Sequence, residues 1–287
     1  MKKKIISSII VASILLTSGC AEPKTPIYRE TLKLNLVEPL DNVKRIDKTI
    51  IILKPEIKTL KTSKHQRMDF RSQILRMQAN ITGGSYNFNK AFVQSYGNIL
   101  PNALKDDLSD ILSNEGFIIN DEYDSYDDID FSLKKDAYLI IKPVIEISFP
   151  TVNVNKETTG DTLYETGILN TTGYIKLKLL EPLSKTQLSV KKINLSNFNI
   201  NYNYASVRKI DSGYSHSSAF GIGTAIGKSI GSSLFGKNIK DNTETILIKA
   251  LNKIENNVII KIKPRLQKMN ILSYEENILE IKSKKRY

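Results

Sequence analysis

The chain has 287 residues, with 42 Lys and Arg against 30 Asp and Glu, a formal charge of +12. That length suits one large domain or two small ones and can bury a sizeable core. A single cysteine excludes a disulfide framework, so the fold must stand on its apolar residues.

Met1–Cys20 reads as an export signal. Lys2, Lys3 and Lys4 precede an uncharged run from Ile5 to Leu16, then Thr17-Ser18-Gly19-Cys20. The apolar run is shorter than the roughly 20 residues a membrane span needs. The lone cysteine falls at the cut site, where a bacterial lipoprotein signal places the thiol that takes a diacylglyceryl group. Thr17 stands where the usual motif has leucine, with Leu16 one place earlier. A plain secretory signal with an incidental cysteine is the alternative. The expectation is a signal peptide over residues 1–19, a lipidated Cys20, and a tether to residue 30 carrying Pro23 and Pro26. Two or three acyl chains hold a protein durably at a membrane. Ala21 in place of the aspartate that retains lipoproteins in the inner membrane of enteric bacteria favours the outer membrane. Loss of the signal lysines leaves 39 basic residues against 30 acids, or +9. Such a balance favours anionic partners: lipopolysaccharide, phospholipid headgroups or sialylated glycans, with nucleic acid set aside by export. A lysine- and asparagine-heavy composition from an AT-rich genome is the plainer source of the same excess.

Residues 31–287 are expected to form a single α/β domain, a mainly antiparallel sheet packed against two or more long helices. Thr31–Val37 alternates Leu32, Leu34 and Leu36 with polar residues, which predicts a short strand. Thr49–Leu53 is an unbroken apolar run ended by Lys54-Pro55, a strand covered on both faces. A loose helix is expected from Met68 to Ala79. Asn89–Asn114 has helical spacing, with a kink at Pro101 or a restart that puts Pro101 in the first turn, and Gly116 as its stop. Phe117–Asn120 begins a strand. Asp121–Asp130 holds six acids without calcium-loop spacing and reads as a solvated turn.

Ala137–Phe149 is a second continuous apolar strand. Pro55 and Pro143 each remove a ladder donor, so pairing should loosen beside them. Pro150–Asn170, Thr-rich with Gly160 and Gly167, reads as a long loop of the kind that carries function. Tyr174–Leu180 alternates cleanly, and Gln187–Tyr204 returns as a strand whose phase slip predicts a β-bulge at Lys191-Lys192. Ser212–Lys237 is low in complexity, with Gly223, Gly227 and Gly231 at every fourth place. It reads as a flexible loop, or as an inducible segment that meets lipid or another copy, giving a possible homo-oligomer. Asp241–Lys263 is the strongest helix, capped by Asn242 or Thr243, with Leu247, Leu251, Ile254, Val258 and Ile262 facing the core. Pro264 ends or kinks it. Leu266–Lys284 continues helically into a basic tail of Lys282, Lys284, Lys285 and Arg286.

Nothing in the sequence points to catalysis. The two histidines, His65 and His216, lie in weakly patterned segments, and no nucleophile elbow, phosphate loop or zinc-protease motif is present. No enzyme activity, metal or cofactor is expected.

One resemblance covers most of the mature chain, in order. It is carried by Leu32-Lys33-Leu34-Asn35, Asp47-Lys48 with Ile50–Pro55, Ile111–Tyr138, Gly173–Leu183, Leu195-Ser196, Ala250–Ile254 and Asn270–Arg286. Together these resemble the neuraminyllactose-binding hemagglutinin, or flagellar-sheath adhesin, lipoproteins of helical gastric and enteric bacteria. The resemblance implies an outer-membrane lipoprotein, at the cell surface or on the flagellar sheath, with sialylated glycans as partners. The region matching that family's basic stretch is Thr151–Thr158, where only Lys156 is basic, so no sialic-acid-binding residue carries over. The stretches around Lys61–Asn89 and Gly221–Gly236 look peculiar to this chain. A periplasm-facing lipoprotein assisting flagellar or envelope assembly is the alternative function.

Overall fold

Two isoleucine-rich runs set the layout. The computed structural model describes residues 31–59, 85–209 and 239–284, so Cys20, the expected helix over 68–79, both histidines and the glycine-rich 212–237 lie outside the described residues. Strand β1 (Thr49–Ile52) pairs in parallel with β3 (Ile118–Asn120) on one side and β4 (Leu139–Ser148) on the other. β2 (Glu56–Thr59) lies parallel to the second half of β4. β7 (Thr172–Leu180) and β8 (Gln187–Asn194) complete the six-stranded sheet with antiparallel pairings. The α/β class and the mainly antiparallel sheet are as expected, with short parallel strands added at one side.

Both faces of the apolar strands are covered. Ile50 and Ile52 enter the main core, while Ile51 and Leu53 join Ile140 and Leu180 in a smaller cluster behind the sheet. The prolines act where predicted. The β4 ladder reaches Ile141 opposite Ile52 and resumes at Val144 opposite Glu56, so Pro143 faces the gap between β1 and β2.

The helices cover the inner face. Helix α1 (Phe88–Ser95) is followed by α2 (Ile99–Asn114), which restarts with Pro101 in its first turn and buries Leu104, Leu108, Ile111 and Leu112. Gly116 closes α2 at φ +95°, where a Cβ would lie 2.5 Å from the Lys44 carbonyl oxygen, so only glycine fits. A short α3 (Phe131–Asp136) precedes β4. Helix α4 (Thr243–Ile262) buries the whole predicted stripe of Leu247, Leu251, Ile254, Val258 and Ile262. Asn242 precedes it, but its Oδ1 accepts from the Ala205 amide (2.8 Å), and Asp241 Oδ1 accepts from the Thr243 amide instead (3.0 Å). Pro264 falls in a 3₁₀ turn, after which α5 (Lys268–Leu272) and α6 (Glu275–Lys284) finish the described chain.

Four sequence expectations are corrected. Residues 31–37 form no strand, because Asn35 turns at φ +59° and the amides pair with helix side chains. The Lys33 amide donates to Asn252 Oδ1 (2.7 Å), Val37 to Asp107 Oδ1 (2.9 Å) and Leu40 to Asn114 Oδ1 (2.7 Å). Residues 150–170 are a β-hairpin rather than a loop, with β5 (Thr151–Thr159) and β6 (Thr162–Asn170) joined at Gly160, whose φ of +62° suits a two-residue turn. The strand expected over 187–204 is broken by a 3₁₀ turn at Leu195–Phe198 into β8 and β9 (Asn201–Lys209). Its irregularity falls at Leu188, not Lys191-Lys192, since Leu179 pairs with Ser189 and Leu180 with Gln187.

Candidate functional site

The segment expected to carry function is the β5–β6 hairpin, extended by β9 into a separate three-stranded sheet in the order β5-β6-β9. Threonines and other β-branched residues favour the extended backbone there, and polar side chains suit its wet surface. Asn153, Asn155, Lys156, Thr158, Thr159 and Asp161 are all exposed. The outer edge of β9 is closed by the start of the α4 cap. Ala205 and Val207 amides donate to Asn242 Oδ1 and Asp241 Oδ2 (2.8 and 2.9 Å), and the Asn242 amide donates to the Ala205 carbonyl (3.0 Å). Such cover blunts an edge that would otherwise invite pairing.

The inward face of β6 carries Leu163, Glu165, Gly167 and Leu169. Glu165 is wholly buried and is the hub of the site. Its Oε1 accepts from the Tyr204 hydroxyl at 2.6 Å, and both oxygens accept from the Tyr86 amide at 3.0 and 3.1 Å. Arg208 Nη2 donates to Oε2 at 2.8 Å, and Lys156 Nζ lies 4.0 Å from the same oxygen. Burial, first, and then the Glu165 bond push the Tyr204 phenol above its ordinary range, so it stays a donor. Gly167 leaves room for the Tyr204 ring, since a Cβ there would sit 2.9 Å from Cε1. Phe88 packs edge-to-face against Tyr86 (4.7 Å) and Tyr204 (5.0 Å), tying hairpin to α1.

This arrangement decides what Lys156 can do. Lys156 points at an internal carboxylate, as does Arg208. A carboxylate-bearing sugar would have to compete with Glu165 for both. Glu165, Tyr204, Arg208 and Tyr86 were hidden from sequence reasoning. The parity of Leu163, Glu165 and Leu169 was the available signal, but a buried glutamate and a glycine blank out the apolar half of that alternation.

A second buried polar pair lies between α2 and α4. Asp107 and Glu255 are both wholly buried, and Val37 donates to Asp107 Oδ1. Burial, then the charge of the neighbouring Asp107, raise Glu255 well above the ordinary carboxyl range; burial also raises Asp107. Two carboxyl groups buried side by side favour a proton on one of them. No donor reaches Glu255 Oε1 or Oε2 among the described residues.

The acidic segment 121–130 is built into the surface. Asp121 accepts from Ser109 (3.0 Å), Asp127 from Lys185 (2.8 Å), and Asp128 caps the turn through the Ser125 amide (2.9 Å). Among the described residues no group of three or more His, Cys, Asp and Glu could hold a metal ion, and no helix is long and apolar enough to cross a membrane. In the basic tail Lys284 pairs with Glu280, and Lys282 reaches the Lys135 carbonyl at 3.4 Å.

A family profile described as "Neuraminyllactose-binding hemagglutinin precursor (NLBH)" matches residues 85–285, which takes in the hairpin, its hub and both long helices. The chain belongs to the neuraminyllactose-binding hemagglutinin family. Curated relatives of that name from Helicobacter pylori are similar along nearly the whole length: one is 24% identical over 296 residues, covering 99% of this chain and 95% of the relative. Another, from a second strain, is 23% identical with the same coverage. A crystal structure of a putative neuraminyllactose-binding hemagglutinin homolog from H. pylori covers 86% of this chain and 99% of its own at 15% identity, with a TM-score of 0.47.

Proposed function

We propose that this member of the hemagglutinin family is a lipid-anchored outer-membrane adhesin, non-catalytic, acylated at Cys20 and displayed on the cell surface or flagellar sheath. The β5–β6 hairpin is its contact surface. The observation that carries this reading is the hairpin itself: a polar pair of strands whose inward face is locked by Glu165 and whose outward side chains are half-buried to exposed. The outward face aligns Asn155 with Thr166, Thr159 with Thr162, and Glu157 with Tyr164. Hydroxyls, an amide and a carboxylate acceptor beside one aromatic ring suit the hydroxyl-rich face of a sugar. Sialyllactose recognition through Lys156, the property in the relatives' name, is not part of the reading, because Lys156 sits against Glu165.

A glycan array probed with the mature protein tests it. The expected result is retention of glycans that Tyr164→Ala weakens and Lys156→Ala leaves unchanged. Retention indifferent to hairpin substitutions overturns the assignment. Protease shaving of intact cells tests the display: a domain that survives until the outer membrane is breached refutes it. Palmitate labelling that persists in Cys20→Ala refutes the anchor.

A further inference from the structure

The outward face of the main sheet has no role in the core or in the hairpin. On β4, β7 and β8 the residues alternating with Ile141, Ile145, Ile175, Leu177, Leu179 and Ile193 point away from the main core. The pairing sets Lys142 opposite Lys178 and Lys176 opposite Lys192. Like charges directly opposite one another across strands are destabilising. A fold that keeps two such pairs side by side retains them against its own stability.

The acids on this face do not neutralise it. Glu56 stands 3.3 Å from Lys142 and 3.7 Å from Lys58, and Glu146 stands opposite Tyr174 across the β4–β7 pairing. Lys176 and Lys192 both stand over the Tyr174 ring, at 4.9 and 4.2 Å from its centroid. Among the described residues, Lys176, Lys178 and Lys192 have no carboxylate within ion-pair distance. Val144, at 2% exposure, stands opposite Lys176 in the same row, and Lys142, Lys176 and Lys178 are half-buried. Toward the smaller cluster the face continues to Tyr126, with Lys134 and Lys185 over its ring at 4.2 and 4.0 Å. Asp127 there is paired with Lys185.

We propose that this face docks on an anionic lipid surface, through the phosphates of bilayer headgroups. Its cations are spread over a sheet, roughly 5 Å apart between strands and roughly 7 Å along them, not gathered in a cleft. All are lysines, compact hydrated point charges that suit many diffuse phosphates better than one planar carboxylate gripped bidentately. A protein partner would want an apolar centre. Val190, 38% exposed, is the one exposed large apolar residue placed among these lysines by the strand pairing. The inference leans on the anchored reading only for supplying a membrane nearby.

The test uses the unacylated Cys20→Ala chain and phosphatidylcholine vesicles with and without phosphatidylglycerol, read by co-sedimentation. Binding to the anionic vesicles alone, weakening as salt rises, is expected. Lys178→Gln with Lys192→Gln should lower it about 25-fold, at about fivefold per lysine. The urea midpoint of that variant should hold or rise, because a cross-strand repulsion has gone. Lys253→Gln with Lys261→Gln, on α4, removes the same charge elsewhere and should leave binding within about twofold. Equal losses in the two pairs would show that net charge alone binds, and would overturn the proposal. So would tight binding of soluble heparin with none to either vesicle. Vesicle binding that fails while Cys20 still takes palmitate refutes the docking face alone; the reverse result refutes the anchor alone.

Discussion

Replacing Glu165 by alanine removes the acceptor on which the hairpin, β9 and the segment before α1 converge. The Tyr86 amide loses both acceptor oxygens, the Tyr204 hydroxyl loses its carboxylate acceptor, and Arg208 loses its carboxylate. Each buried donor left unpaired costs about 1–3 kcal/mol, and more beside a charge. The Arg208 side chain is 32% exposed, so water recovers most of its share, about 1 kcal/mol. The sum is a loss of about 4 kcal/mol, in line with the range for breaking a buried ion pair. In a domain of this size that lowers the melting temperature by roughly 10 °C. Glu165→Gln keeps the shape and one acceptor, and should cost about half as much. Urea denaturation followed by far-UV circular dichroism measures both. A loss under about 1 kcal/mol for the alanine variant, with the denaturant slope unchanged, would refute the view that one carboxylate organises this sheet.

Other positions separate the remaining forces. The folded state holds Glu255 protonated after the unfolded chain has released that proton, so it binds more protons and its stability falls as pH rises above the ordinary carboxyl range. The urea midpoint should therefore drop as pH rises above the ordinary carboxyl range, and Glu255→Gln should flatten that drop; an unchanged slope would count against a buried acid pair. Gly173→Ala places a Cβ 2.0 Å from the Glu146 carbonyl oxygen at φ +112°, whereas Gly160→Ala meets nothing within 4 Å at φ +62°. The first should cost about 3 kcal/mol or more and the second about 1 kcal/mol, the bare left-handed penalty, by the same denaturation assay. Asn114→Ala removes bonds to the Leu40 amide (2.7 Å) and Glu38 carbonyl (2.9 Å), at exposed positions. It should cost about 1 kcal/mol and speed amide exchange at Leu40.

Where apolar residues follow one period, the sequence announced its structure. The isoleucine runs at 50–53 and 139–141, the Leu247–Ile262 stripe and the restart at Pro101 are all seen where the pattern placed them. Polar burial broke the reading elsewhere. β6 turns a glutamate and a glycine inward, and β5 is wet on both sides, so residues 150–170 imitate a loop. Val190, 38% exposed, shares a parity with Leu188 that suggested the wrong position for the bulge. Leu32, Leu34 and Leu36 alternate like a strand, yet Asn35 turns left-handed and no strand lies alongside. Of the candidate site, Lys156 could be found by its charge. The Glu165 that occupies it is nine positions away, and only the hairpin register brings them together.

The path from Lys33 to Leu40 has a mechanical meaning. It is held at intervals by Asn252, Asp107 and Asn114, each from a helix, with no ladder to share the strain. A pull entering at residue 32 would meet these fastenings singly, so they would let go in turn, Asn252 first, while the sheet behind them stayed whole. Val37 is seated in the core and Leu32 and Leu34 pack against it, so each release also exposes apolar surface, and the stretch yields in steps as the domain's shock absorber.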